Sequence, residues 1–245
     1  MPGYQVKHEH IAVGGVDDLQ IRSLLDRDQY ADPLGLAEAL GISSAQWPLF
    51  GLLWPSGYQL AEVMARRPVR AEEHILELGC GLALASLVAH RRGATVTASD
   101  CHPLAESFLD ENQRLNGLAG LHYRHGQWGP EEAAEALSES VSGRSGVPGR
   151  AMRVQGRFEL IIGSDVLYER DQTGELPAFI DRHATADSEV LIIDPDRGNR
   201  SAFTRRMGAM GYQLTETRLR DEVGSPRGLY RGRLLHYCRG DRPAG

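Results

Sequence analysis

The chain has 245 residues, 41% of them hydrophobic, with a formal net charge of −6, which suits one globular α/β domain with a substantial core and argues against a general nucleic-acid binder, because neutralising phosphates needs a basic face. No apolar run approaches the ~20 residues that cross a bilayer, and the start MPGYQVKHEH lacks the apolar segment of a signal peptide. The three cysteines, Cys80, Cys101 and Cys238, form no CxxC pair, so the expectation is a reduced chain in the cytoplasm, off the membrane.

Residues 4–25 alternate weakly around Gly14 and Gly15, and Gly-Gly supplies the positive φ of a tight turn, so a β-hairpin is expected there. Residues 26–57 are turn-rich, with Pro33, Pro48 and Pro55, and read as a segment wrapping toward the core. Hairpin and wrap together make an N-terminal extension over 1–50. Leu60, Val63 and Met64 mark one stripe of a helix over 58–67.

A strand-helix rhythm follows. HILELG (74–79) reads as a buried strand and 82–92 as a helix stopped by Gly93. TVTASD (95–100) is a second strand, and Pro103 opens a helix running to about 116, before Gly117. Strands are expected at 121–125, 158–165 and 189–194, then a helix at 201–210. The segments at 212–219 and 229–238 are strand-like, with only a loop between them, and should pair antiparallel. Elements alternating at these lengths imply right-handed βαβ units and a mainly parallel sheet. Residues 129–156 break the rhythm: EEAAEALSES has helix-forming composition, and SGRSGVPGR reads as a flexible loop. The expected layout is a cofactor-binding domain over 51–245, with a flexible insertion at about 129–156.

The strongest local signal is ILELGCGLALASL at 75–87. A buried strand ends, a Gly-x-Gly turn follows and a helix begins. Gly79 and Gly81 allow backbone geometry that a β-carbon forbids and let the main chain approach a ligand. The helix start offers free N–H groups to an anionic group. Asp100 closes the next strand about 20 residues on, where an acid can hold ribose hydroxyls. Glu77 would sit badly beside a pyrophosphate but well beside S-adenosylmethionine, which carries a sulfonium and an ammonium and no phosphate. The third glycine of a dinucleotide fingerprint would fall at Leu84, which speaks against a nicotinamide cofactor.

ELGCGL, then SD at 99–100, then FELIIGSDVLYER at 158–170 resemble the class I methyltransferases. More narrowly, the chain resembles methyltransferase family 16, the seven-β-strand protein lysine methyltransferases, over about residues 47–215. The upstream motif of that family matches LLWPSG with Trp54, the ribose-binding acid matches Asp100, the tryptophan after the third strand matches Trp128, and the D-x-x-Y motif matches Asp165 and Tyr168. DPDRG (194–198) is similar to a DPGR segment in bacterial relatives of the electron-transfer-flavoprotein β-subunit lysine methyltransferase. The pattern departs at Ala83, where the family has a third glycine, and at Gln127, where it has an aspartate.

The resemblance implies a Rossmann-like seven-stranded sheet, mostly parallel with an antiparallel C-terminal strand, and S-adenosylmethionine as cofactor. It places Trp54, Glu77, Gly79, Cys80, Gly81, Asp100, Cys101, Trp128 and Ser164 around that cofactor. Asp165 would orient an incoming lysine amine and Tyr168 would aim its lone pair. The implied partner is a protein bearing that lysine. A small-molecule N- or O-methyltransferase and a non-catalytic cofactor-binding protein stay open as alternatives. Cys80 reads as a small residue that fits between glycines, not as a nucleophile. His8 with His10, and His122 with His125, lack a further ligand nearby in sequence, so no metal is expected. His74 and His102 flank the expected pocket. The chain is expected to be a monomer.

Overall fold

The computed structural model describes residues 3–14, 17–129, 152–168, 171–220 and 229–240. The part of the expected insertion at 130–151, including EEAAEALSES, lies outside them. In chain order the main elements are β1 (Val6–Ile11), β2 (Leu19–Leu24), α1 (Leu36–Ala39), a 3-10 turn (Trp47–Gly51), α2 (Pro55–Arg66), β3 (His74–Leu78), α3 (Leu84–Arg91), β4 (Thr95–Asp100), α4 (Ala105–Leu115), β5 (His122–His125), β6 (Phe158–Ser164), α5 (Glu175–His183), β7 (Ala184–Asp194), α6 (Arg200–Ala209), β8 (Gln213–Arg220) and β9 (Arg231–Arg239).

Seven strands form one sheet in the order β5-β4-β3-β6-β7-β9-β8. The first five run parallel. β9 pairs antiparallel with both β7 and β8. The strand order turns at the β3–β6 pair, the point where open α/β sheets bind ligands. The inner strands read as apolar runs because both faces are covered. Ile75, Val96, Ala98, Leu160, Ile162, Leu191 and Ile193 share one core with Leu60 and Met64 of α2, Leu87 and Val88 of α3, and Phe108 of α4. Their alternates Leu76, Leu78, Ile161, Val190 and Ile192 pack with Phe179 and Ile180 of α5 and Phe203 and Met207 of α6. The two-residue period of a strand thus sorts one apolar run into two cores.

The N-terminal hairpin is present, its register ending at the Ile11–Leu19 pair; Gly15 of the expected Gly-Gly turn lies outside the described residues. The Gly14 N–H donates to Glu62 Oε1 at 2.8 Å, which fastens the loop to α2. Leu19, Ile21 and Leu24 are fully buried and fix the hairpin's inner face. Two asparagines of the α4 region stand in for a third strand. Asn112 Oδ1 accepts the Arg22 N–H at 2.7 Å, Asn116 Oδ1 accepts the Gln20 N–H at 2.8 Å, and Asn116 Nδ2 donates to the Gln20 carbonyl at 2.7 Å. The free edge of β2 is thereby satisfied.

Helix α5 was not expected. Pro177 sits in its first turn, where a missing N–H removes nothing. Gly174 precedes it with φ 84°, and Leu176, Phe179, Ile180 and His183 supply its buried stripe. Strand β7 begins five residues earlier than its apolar run (184 against 189), because Ala184 pairs with Phe158 and Ser188 with Arg239. Among the described residues no helix is long and apolar enough to cross a membrane.

Asn112 is fully buried, so Asn112→Ala leaves the Arg22 N–H without its acceptor. The expected loss is about 1–3 kcal/mol of stability, with faster hydrogen exchange at the Arg22 and Gln20 amides. Denaturant unfolding and amide exchange check it; unchanged exchange at Arg22 would show that the hairpin does not depend on the asparagines.

Candidate functional site

The carboxyl ends of β3, β4, β6 and β7 meet at one edge of the sheet. β3 leads into Gly79-Cys80-Gly81-Leu82-Ala83, and Gly79, Gly81 and Ala83 all take left-handed backbone conformations, with φ of 56°, 52° and 56°. A β-carbon on Gly81 would stand 2.8 Å from the Phe50 carbonyl oxygen, so the position admits no side chain. One on Gly79 would stand 3.2 Å from Val166 Cγ1 and 3.8 Å from Trp128 Cζ2. Ala83, in the place of the family's third glycine, keeps a glycine-like conformation despite its methyl group.

Two buried carboxylates frame this turn. Asp100 Oδ2 accepts the Gly81 N–H at 2.9 Å and Oδ1 accepts the His102 N–H at 2.8 Å. Burial raises its pKa, and these backbone donors act against that rise. Glu77 is 3% exposed. Its Oε2 accepts the Ser86 N–H at 2.9 Å and the Ser86 hydroxyl. Burial still pushes the Glu77 carboxyl up to about 7, because no cation sits beside it among the described residues. A cavity of about 290 Å³, counting its open mouth, is lined by Glu77, Cys80, Leu82, Ala83, Leu84 and Ala85 on one side and by Leu52, Leu53, Trp54, Gly57 and Ser164 on the other.

The structure thus brings Trp54, Glu77, Cys80 and Ser164 to one cavity and puts Gly79, Gly81 and Asp100 at the turn that shapes it. Trp54 is 37% exposed and donates from Nε1 to the Leu49 carbonyl at 2.8 Å, which pins its ring at the start of α2. Trp128 lies beside Gly79, and its buried Nε1 has no acceptor among the described residues. Cys101 is exposed and does not line the cavity. The Cys80 thiol is held well above its usual pKa by burial and by the nearby acids, as a non-nucleophilic residue should be.

Asp165, expected to orient an incoming amine, has both carboxylate oxygens engaged: Arg197 donates from Nε to Oδ1 and from Nη2 to Oδ2, each at 2.8 Å. The register explains it. Ser164 pairs with Ile193 across β6 and β7, so the segment after 164 runs beside DPDRG. Arg197 belongs to a motif the sequence did single out, but two strands' worth of topology decides that it meets Asp165. Tyr168 is 46% exposed at the same edge. His102 is not a candidate base. It is stacked on Phe50 with ring centroids 3.7 Å apart, and burial pulls its pKa down to about 3.

A second convergence, Glu189, His236 and Cys238, lies toward the other end of β7 and β9. Glu189 Oε1 is already bound by Arg67 and Arg70, and Oε2 by His236 Nε2. These bonds hold the Glu189 carboxyl down at about 2 against its burial. The cluster ties α2 to the sheet.

No protein-family model matches the chain. It is 27% identical over 172 residues to the mouse electron transfer flavoprotein beta subunit lysine methyltransferase, covering 69% of this chain and 58% of that one. It is 26% identical over 153 residues to zebrafish protein N-lysine methyltransferase METTL21A, covering 61% and 63%. The chain therefore spans about three-fifths of the length of these relatives. Among solved structures it resembles a putative S-adenosylmethionine-dependent methyltransferase from Streptococcus mutans (TM-score 0.57, 10% identity, 94% of this chain and 55% of that one). It also resembles magnesium protoporphyrin IX methyltransferase from Synechocystis with bound S-adenosylmethionine (TM-score 0.52, 13% identity, 75% and 79%). The chain shares the Rossmann-like methyltransferase fold.

The Glu77 shift has a sign. Its folded pKa of about 7 lies above the ordinary 4.5, so the folded state holds a proton that the unfolded state releases between those values. Stability is therefore lost as pH rises from about 4.5 through 7. Glu77→Gln, which can still accept from Ser86, removes that loss. The variant should gain on wild type between pH 5 and pH 8, by an amount on the order of 3 kcal/mol at most. Denaturant unfolding at the two pH values checks it, and a pH-independent gap between the proteins would contradict it.

Proposed function

We propose that the chain is an S-adenosylmethionine-dependent methyltransferase that N-methylates a lysine side chain of a protein. The observation that carries this reading is the cavity at the Gly79–Gly81 turn. It is lined by a buried carboxylate, Glu77, that lacks a cation among the described residues. A phosphate-bearing cofactor would add negative charge beside that acid; a cofactor with an ammonium and a sulfonium relieves it. The names and sequences of the relatives support the lysine acceptor, and the three free cysteines support a reduced, cytoplasmic setting. We read 1–50 as an N-terminal extension and 51–245 as the methyltransferase domain, acting as a monomer.

In this reading Glu77 holds the cofactor's ammonium and the N-terminal turn of α3 faces its carboxylate. Asp100, already fixed by two backbone donors, presents its remaining lone pairs to ribose hydroxyls. Trp128 Nε1, which has no acceptor among the described residues, and the pinned Trp54 ring bound the adenosyl and methyl ends. The bound cofactor supplies an activated methyl group, so the protein's task is positioning and electrostatics. Asp165 attracts the lysine ammonium and Tyr168 directs the neutral amine. The lysine ammonium held by Asp165 would give one proton to water, and the neutral amine aimed by Tyr168 would take the methyl group that the cofactor supplies, the electron pair of the broken bond remaining on the cofactor's sulfur. His102 takes no part in proton transfer.

A lysine amine with an ordinary pKa of about 10.4 is neutral in about one molecule per thousand near pH 7.4. With no histidine base, kcat/KM should climb steadily from pH 7 to about 9. Tyr168→Phe should keep cofactor affinity and lower turnover by about tenfold or more. The test incubates lysate with methyl-labelled cofactor and the pure protein, followed by mass spectrometry of labelled residues and by calorimetry for affinity. Label confined to small molecules, a rate plateau near pH 6.5, or a Tyr168→Phe defect in cofactor affinity alone would each count against the reading.

A further inference from the structure

We propose that Arg197 selects the acceptor. Its guanidinium holds the Asp165 carboxylate until a lysine ammonium replaces it, and it then binds a carboxylate lying next to that lysine on the acceptor protein. This rests on the lysine reading above and narrows it to lysines with an acidic neighbour.

Asp165 follows Ser164, which lines the cavity, and its side chain is 14% exposed. Both carboxylate oxygens are taken by the planar fork of Arg197. An incoming ammonium finds its binding group occupied by a cation of the same charge. Arg197 is 44% exposed, so its side chain can swing toward water, but the two-pronged pair it makes with the mostly buried Asp165 is given up only when other charges take the places of both partners.

The main chain on each side is fixed. Asp165 holds φ 54° with its N–H on the Ile193 carbonyl at 2.8 Å. Arg197 donates its own N–H to Asp194 Oδ1 at 3.2 Å. What can move is the long arginine side chain. Once displaced, it finds two acids in its own loop among the described residues: Asp196 is already bound by Arg200 and Arg233, and Asp194, whose Oδ2 is unpaired, is fully buried out of reach of a side chain swung toward water. A carboxylate on the acceptor completes a charge-conserving exchange. The pairs Arg197–Asp165 and acceptor Lys–Glu become Asp165–Lys and Arg197–Glu, and no charge is left alone. Small amines without an acid would have to open the latch uncompensated, so the arrangement also rejects them.

The test is an array of immobilised N-acetylated peptides, each with one central lysine flanked by Glu, Gln or Lys, methylated with labelled cofactor. Wild type should favour Glu-flanked lysines over Gln-flanked ones by about fivefold in kcat/KM, the scale of one half-exposed ion pair. Arg197→Gln should erase the preference, Arg197→Glu should shift it to Lys flanks, and Arg197→Lys, which keeps charge but loses the fork, should keep part of it. Calorimetric cofactor affinity reports whether each variant is folded. Should Arg197→Gln fail to fold, the wild-type preference itself must still shrink at high salt. Equal labelling of all lysine peptides by wild type overturns the selection by Arg197 and leaves the lysine reading standing. Absence of lysine label on the array and in lysate overturns both.

Discussion

The carboxylate of Asp100 joins the parts of the site. One oxygen holds the Gly81 N–H of the turn after β3, and the other holds the His102 N–H that begins the exit from β4. Its carbonyl accepts the Tyr123 hydroxyl at 2.8 Å and the Gly126 N–H at 3.0 Å, which brings the end of β5 to the same point. Three strand ends are thus gathered on one residue. Two of the turn's three left-handed residues are glycines, which take that backbone freely, and the carboxylate adds an anchor at the Gly81 N–H. The open geometry of the turn, the direction of α3 and the place of Trp128 all follow from that fastening.

Glu77 shows the opposite economy. Ser86 satisfies one of its oxygens, yet burial still raises its pKa to about 7. A protein selected for stability alone would have little use for such a group. A buried carboxyl in the wall of a cavity with no cation beside it among the described residues is the group that the proposed function gives to the cofactor's ammonium. The contrast with Glu189 is direct. That acid is as well buried, but Arg67, Arg70 and His236 surround it, and its pKa falls to about 2. One buried acid is closed by the protein itself and serves the fold. The other is left open at the sheet edge where ligands bind.

Much of this was legible in the sequence where a single local rule decides. β3, β4 and β6 stand out because strands covered on both faces are apolar throughout. The Gly79–Gly81 turn stands out because only glycine tolerates its backbone so close to Phe50. Misreadings arose where a distant residue decides. The polar start of β7, residues 184–188, looks like loop because its strand character comes from pairing, not from its own composition. The Asp165–Arg197 pair was not legible because its guanidinium lies 32 residues away in sequence, brought near by the β6–β7 register. Local chemistry could be read residue by residue; ion pairs made by topology could not.

Among the described residues, the three non-glycine positions with positive φ are Ala83, Asp165 and Asp196. All lie at the carboxyl edge of the sheet: Ala83 after β3, Asp165 after β6 and Asp196 after β7. Each such residue costs about 1 kcal/mol or more unless its surroundings impose it. Here they are imposed in different ways. Ala83 is packed with no exposure at the start of α3. Asp165 is clamped by Ile193 through the main chain and by Arg197 through the side chain. Asp196 is held by Arg200 and Arg233. Two of the three are aspartates tied to arginines, so their backbone geometry is coupled to ion pairs that stand partly in water. A ligand that exchanges those ion pairs need not remodel a strand or a helix. It acts on loops already held away from their relaxed shape, while the β3 turn, imposed by packing instead of charge, stays fixed. The edge therefore combines a half set by packing, at Gly79–Ala83, with a half held by an ion pair, at Asp165–Arg197, the division on which the proposed exchange of Arg197 rests.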